Sequence, residues 1–390
     1  MIIRPSSRLA FIDEYYFSRK LAEVRRLRES GCDVINIGIG SPDLPPTQEA
    51  IAELCRTSQA ADTHGYLSHY PLKVAMAHWY GRTYGVSLDP DSEVLPLMGS
   101  KEGIVHLSLA FLEVGDKVLV PNPGYPTYTS ASYIAQAQPL YYPLDERHQW
   151  QPNWDVLNDM DTQDVKILWV NYPQMPTGAR ASTQLFDALV RYAHDRQLLL
   201  VNDNPYSLVL NPEPLSLLAA DGAKEVALEL NSLSKSHNMA GWRVGMLLGA
   251  TPYLREVLKV KSNMDSGMFL GIQRAATLAL NETSEEWHDT RNHIYQSRRY
   301  WAERIAQTLQ CSFNPDQVGM FLWAKAPDEI GIVSEWLDRL LYEANVFIAP
   351  GFIFGTAGER FIRISLCADE ERLQTAWTRI NAHCEAVRIF

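Results

Sequence analysis

The chain has 390 residues, 46% of them hydrophobic and 21% charged, with a formal net charge of -11. That length exceeds what one hydrophobic core usually supports, so two domains are expected, and the acidic balance argues against nucleic acid as a partner. Five scattered cysteines, Cys32, Cys55, Cys311, Cys367 and Cys384, form no C-x-x-C, which points to reduced thiols and a cytoplasmic location rather than a disulfide or zinc framework. Met1 to Arg8 lacks the apolar core of a signal peptide, and no apolar run approaches the ~20 residues that cross a bilayer, so a soluble protein without a membrane partner is expected.

In chain order, Tyr16 to Ser30 sets Leu21, Val24 and Leu27 among charges and stops at Gly31, which predicts a surface helix. Val34 to Ile39 predicts a short strand. From about residue 95 to 250, apolar runs alternate with helical segments: Lys117 to Val120, Lys166 to Val170, Leu198 to Asn202, Ala227 to Leu230 and Val244 to Leu248. Near-continuous apolar strands spaced by helices predict an α/β fold with a mostly parallel sheet covered on both faces. Glu282 to Gln310 predicts one long amphipathic helix, with Trp287, Ile294, Trp301, Ile305 and Leu309 on its apolar positions, of the kind that links domains. A strand at Met320 to Ala324, a helix near Ser334 to Ala344, a strand at Phe361 to Leu366 and a helix from Asp369 then give an α+β pattern for a second, smaller domain.

The densest chemistry lies in Asn231-Ser232-Leu233-Ser234-Lys235-Ser236, with Arg243 eight residues beyond the lysine. A buried lysine among polar groups can be held partly neutral and attack an aldehyde as a Schiff-base former. Ser232, Ser234 and Arg243 supply the hydroxyls and planar cation that grip a phosphate monoester. That pairing points to pyridoxal phosphate, although a polar loop with a solvated lysine would read the same way. Gly99-Ser100-Lys101-Glu102-Gly103 opens a helix whose amides and dipole suit a phosphate, and would equally serve as a plain cap. Asp203 closes a strand, with Tyr206 three residues on, where an acid could pair with a pyridinium nitrogen or cap the next element. In open parallel sheets ligands gather at those strand ends.

Together with Ile37-Gly38-Ile39-Gly40-Ser41-Pro42-Asp43, Pro121-Asn122-Pro123-Gly124-Tyr125-Pro126, Asn171-Tyr172-Pro173-Gln174-Met175-Pro176-Thr177-Gly178 and Phe361-Ile362-Arg363-Ile364-Ser365, these segments resemble, over nearly the whole chain, the fold-type-I pyridoxal-phosphate aminotransferases of class I/II. Within them the chain looks most like the LL-diaminopimelate and aspartate-type branch. The resemblance implies a seven-stranded-type sheet in a large domain over 45–285, a small α+β domain from 1–44 and 286–390, and a homodimer with shared sites acting on amino-acid and 2-oxo-acid substrates. It makes Lys235 the Schiff-base lysine and acid/base, with Asp203 on the pyridine nitrogen and Tyr206 on the ring oxygen. Tyr125 would stack on the ring, and Ser100, Lys101, Ser232, Ser234 and Arg243 would hold the phosphate. Tyr66 would reach the neighbouring subunit's phosphate. Arg363 would take the substrate carboxylate, with Gly40, Tyr15 and Met175 also at the substrate. No metal is implied.

Two departures stand out. Ser68-His69-Tyr70-Pro71 follows Tyr66 where the family has a glycine, and Met175 replaces the family's asparagine, which touches both the ring oxygen and the substrate carboxylate. No distal substrate receptor can be singled out among Lys101, Tyr15, Tyr16 and His69. A β-lyase on the same scaffold, or a non-catalytic cofactor-binding protein suggested by Met175, are the competing functions.

Overall fold

The computed structural model describes residues 3–12, 14 and 16–387. After a short first strand β1 (Ile35–Asn36), seven strands build the central sheet: β2 (Val94–Leu97), β3 (Lys117–Asn122), β4 (Gln138–Pro143), β5 (Val165–Val170), β6 (Leu199–Asp203), β7 (Ala227–Ser232) and β8 (Gly245–Gly249). Their order is β2-β8-β7-β6-β5-β3-β4. All run parallel except β8, which pairs antiparallel with both β7 and β2.

Both faces are covered. Val118, Val120, Trp169 and Val201 face one apolar cluster, whereas their neighbours Leu119, Leu168 and Leu200 face the other. That two-sided burial explains why these strands read as continuous apolar runs. The edge strands β2 and β4 escape a sequence reading because Pro96, Pro139 and Pro143 interrupt them, and proline is tolerated where one side of a strand has no partner.

Four further strands follow: β9 (Phe321–Lys325), β10 (Val346–Phe347), β11 (Ala349–Pro350) and β12 (Phe361–Ser365). β11, β12 and β9 form an antiparallel sheet, and β10 pairs in parallel with β1 near the start of the chain. The expected strand from Val34 to Ile39 therefore shrinks to the two residues that meet β10. The expected long helix from Glu282 to Gln310 is one helix, Glu285–Thr308, and Glu282 itself ends the preceding helix, Leu270–Glu282. Ser284 separates them by capping the second, its hydroxyl accepting the Trp287 amide at 3.2 Å. No helix of the described residues is long and apolar enough to cross a membrane.

Candidate active site

A cavity of about 580 Å³ opens over the carboxyl ends of the parallel strands. Asp203 closes β6, Ser232 closes β7, Asn171 follows β5, Tyr125 follows β3, and Ser100 begins the helix after β2. The opposite side comes from Phe17 on the helix Tyr16–Glu29, from Phe321 and Phe354, and from Arg363 on β12.

Lys235 sits in a single helical turn, Leu233–Ser236, capped by the Ser232 hydroxyl, which accepts the Ser234 amide at 3.1 Å. Its Nζ donates to the Gly40 carbonyl at 2.6 Å. Burial lowers its pKa to about 8, opposed by the Cys367 thiol and reinforced by the charges of Arg363 and Arg243. A lysine so placed has a neutral, nucleophilic fraction near neutral pH. The turn is strapped from outside by Arg291 of the long helix, which donates to the Ser236 carbonyl and to the Leu208 carbonyl.

Asp203 faces the same space. One carboxylate oxygen accepts the Tyr128 hydroxyl at 3.0 Å; the other, Oδ1, is buried with no hydrogen-bond partner. Burial raises its pKa to about 7, Tyr128 opposing and the charge of Glu229 adding. A buried carboxylate oxygen without a donor costs free energy unless a ligand supplies one.

At the other end of the lysine turn lies a tight polar cradle. The Ser232 and Ser234 hydroxyls are 2.8 Å apart. Gly99 has φ +85°, and a Cβ there would lie 1.9 Å from Arg243 Nη2, so only glycine lets the guanidinium lie beside the start of the helix Ser100–Phe111, where it donates to the Met98 and Ala240 carbonyls at 3.4 and 3.0 Å. Glu102 on that helix accepts the Met98 amide and fixes the turn. Lys101 lies with its ammonium 5.9 Å from the Tyr125 ring centre. A helix N-terminus, two hydroxyls and an arginine suit a phosphate, while the lysine and the Asp203 oxygen suit an aldehyde and a protonated ring nitrogen. The residues present therefore fit pyridoxal phosphate.

Arg363 occupies the far side. It is 4% exposed, and its guanidinium carbon lies 3.9, 4.6 and 5.4 Å from the ring centres of Phe321, Phe354 and Phe17. Its Nη2 donates to the Gly38 carbonyl at 2.8 Å and its Nη1 to the Met175 sulfur at 3.4 Å. Asn171 and Gln174 each spend an amide N–H on a backbone carbonyl. Asn171 donates to the Asp203 carbonyl and accepts the Met175 amide at 2.8 Å, and Gln174 bridges the Pro123 carbonyl and the Thr177 amide.

Of the residues singled out from sequence, Ser100, Lys101, Tyr125, Asp203, Tyr206, Ser232, Ser234, Lys235, Arg243, Arg363, Gly40 and Met175 all line this cavity. Tyr66 does not: it is 90% exposed, as nothing in the described chain covers it. Tyr16 and His69 also lie outside the lining, and Tyr15 lies outside the described residues. Sequence reasoning missed Tyr128, the aromatic clamp on Arg363 and the Arg291 strap. Tyr128 carried a faint signal, since it stands one turn after Tyr125.

A buried lysine amine, a buried carboxylate and a buried arginine thus share one cleft, an arrangement suited to amine chemistry. Residues 32–380 match the family model for aminotransferase class I and II, and the chain belongs to that family. It is an aminotransferase, moving amino groups between amino acids and 2-oxo acids. The LL-diaminopimelate aminotransferase of Dehalococcoides mccartyi is 38% identical over 383 residues, spanning 97% of this chain and 98% of that protein. That of Aquifex aeolicus is 36% identical, over 96% and 98%. Among solved structures, BacF from Bacillus subtilis superposes with a TM-score of 0.92 at 32% identity, covering 98% of each chain. A probable N-succinyldiaminopimelate aminotransferase from Thermus thermophilus gives 0.86 at 35%, covering 94% and 99%.

Proposed function

We propose that amino transfer here uses pyridoxal 5'-phosphate, with Lys235 as its covalent anchor and the substrate carboxylate on Arg363. The observation that carries this reading is the unpartnered, buried Oδ1 of Asp203 in the same cavity as the buried Lys235 amine. Bound there, the cofactor supplies an aldehyde for the amine and a protonated ring that draws electrons from the substrate α-carbon.

Everything else falls to side chains of the chain. Ser100, Ser232, Ser234 and Arg243 hold the phosphate, with Lys101 at its edge. Tyr125 would stack on the ring and Tyr206 would donate to its oxygen. Asp203 keeps the ring nitrogen protonated through Oδ1, and Tyr128 keeps Asp203 in place. Arg363, aimed by the Gly38 carbonyl and the aromatic rings, fixes the α-carboxylate and so orients the α-carbon toward Lys235, whose Nζ takes its proton. Gly40 must be glycine there, because a Cβ would lie 2.2 Å from the Phe321 ring.

We also take residues 45–285 as the large domain and 1–44 with 286–390 as the small one, supported by the pairing of β1 with β10. A homodimer with shared sites is supported by the exposure of Tyr66, which the family resemblance assigns to the neighbouring subunit's phosphate, and a cytoplasmic location by the five free cysteines. From the relatives we take the reaction, not the donor in their names.

Arg363→Ala tests the reading. Losing one member of a buried charged pair costs about 2–5 kcal/mol, so KM for amino donors should rise on the order of 30- to several-thousand-fold while cofactor content stays near one per chain. An unchanged KM would remove Arg363 from the carboxylate.

A further inference from the structure

Strand β7 is a buried apolar run with one carboxylate in it: Glu229, 0% exposed, between Leu228 and Leu230. A charge buried there is costly unless hydrogen-bond donors meet it, and five do. Oε1 accepts the Tyr80 hydroxyl at 2.9 Å, the Ser216 hydroxyl at 2.8 Å and the Asn204 side-chain amide at 3.3 Å. Oε2 accepts the Asn202 side-chain amide at 2.9 Å and the Leu217 backbone N–H at 2.8 Å. The two hydroxyls already accept an N–H each, Tyr80 from Asn231 and Ser216 from Leu218, so their own protons point at the carboxylate. A proton on Glu229 would meet a donor at every one of these contacts. Burial pushes its pKa up and the donors oppose that rise, and the donor set keeps the group an anion.

What this anion holds is the end of the sheet that carries Asp203. Asn202 and Asn204 flank Asp203 in the chain, and both side chains reach Glu229. Alternation along β6 puts Asn202 on the face where Leu200 packs, and Asp203 on the face where Val201 packs with Tyr128. Asn202 also accepts the Tyr172 N–H at 3.0 Å, next to Asn171, which donates to the Asp203 carbonyl. On β7, Asn231 joins the Tyr80 hydroxyl to the Ser232 amide, at 2.9 and 2.7 Å, and so ties the network to the cap of the Lys235 turn. Around Asp203 stand Tyr125, Tyr128 and Tyr206, and around Glu229 stand Tyr80 and Tyr84, all kept neutral by burial. Lys101, Lys235, Arg243 and Arg363 face Asp203 from the cavity, and the negative charge that acts on it is that of Glu229.

Building on the amino-transfer reading, we propose that Glu229 is a positioning residue for the ring-nitrogen end of the site: a buried anion that clasps both neighbours of Asp203 and retains the proton shared by Asp203 and the ring nitrogen. It touches neither cofactor nor substrate. Its effect passes through the sheet, since a second negative charge nearby makes that proton harder to remove.

The test uses full-length protein with carbon-13 in its aspartate carboxyls, Asp203 being assigned by the signal lost in Asp203→Asn. Without cofactor, Glu229→Gln should lower the Asp203 titration midpoint by about one unit, the size expected of like charges on adjacent strands at an effective dielectric constant of about 20. With pyridoxal phosphate carrying nitrogen-15 in its ring, the ring signal should lose its proton at lower pH in the same variant. Glu229→Asp, which keeps the charge, should restore part of both shifts. Where Glu229→Gln does not fold, glutamate-labelled parent protein decides. Tyr80→Phe removes one donor and marks the Glu229 signal, which must stay ionised through the pH range in which Asp203 titrates. An unmoved Asp203 midpoint, or a protonated Glu229 in that range, overturns the proposal, and cofactor still bonded to Lys235 would leave amino transfer standing. A moved midpoint in a protein that binds no pyridoxal phosphate overturns the amino-transfer reading and the ring-nitrogen role with it.

Discussion

Asp203 is placed at the expense of stability. Its carboxyl is raised from 3.8 to about 7 by burial, so between those pH values the folded protein without cofactor holds a proton that the unfolded chain has released. The contribution of a group shifted upward is fully present below the unfolded value and is lost as pH rises through the folded one. Asp203→Asn escapes that loss. The cofactor-free variant should melt higher than the cofactor-free parent above pH 7, with the difference shrinking as pH falls toward 4, while its affinity for pyridoxal phosphate drops. A melting-temperature difference independent of pH would contradict the assigned protonation. Met175 is the second residue of this kind. Its thioether cannot donate a hydrogen bond, and Asn171 and Gln174 are held by backbone groups. Met175→Asn adds a donor worth roughly 1.5–3 kcal/mol toward a charged acceptor. The pH midpoint of the cofactor's absorbance change should fall by about one unit or more, and amino acids should bind more tightly. No movement in either quantity would make Met175 a packing residue. Both residues were legible in sequence by their motif positions. The unpartnered oxygen of Asp203 and the sulfur contact of Arg363 were not, because they depend on which neighbours the fold brings alongside.

At the scale of elements, the site depends on short turns held by distant ones. The Lys235 turn is only four residues long, and Arg291 ties it to the long helix Glu285–Thr308 and to the loop after Tyr206. Arg291 is 2% exposed and spends its charge on backbone carbonyls, those of Leu208 and Ser236 above all. Arg291→Met orphans buried acceptors at a cost of about 1–3 kcal/mol each, and frees Lys235 and Tyr206 to drift together. We expect kcat to fall more than KM changes, the absorbance midpoint of the bound cofactor to move, and Arg291→Lys to restore part of both. A loss of melting temperature without those two effects would reduce Arg291 to a structural brace. No motif announces such a strap, since an arginine within an amphipathic helix looks like any solvated one. Element types were otherwise readable, because the sheet buries both faces and each strand therefore shows as an apolar run. The misses have causes of the same order: proline broke the edge strands β2 and β4, and the Ser284 cap starts the long helix three residues after the expected Glu282. The antiparallel direction of β8 left no trace, since a buried strand has the same composition in either direction.

At the scale of the molecule, one cavity collects residues from both ends of the chain, from Phe17 to Arg363. Its sheet side carries groups for a phosphate, an aldehyde and a ring nitrogen; its other side carries an arginine clamped by aromatic rings and an apolar wall. The proposed function unites them through a covalent bond to one lysine. Borohydride reduction of the protein loaded with pyridoxal phosphate, followed by peptide mapping, reads that bond directly. The pyridoxyl label should appear on Lys235 at about one per chain and vanish in Lys235→Ala. Label on Lys101 or on any other lysine, with Lys235 unmodified, would contradict the account.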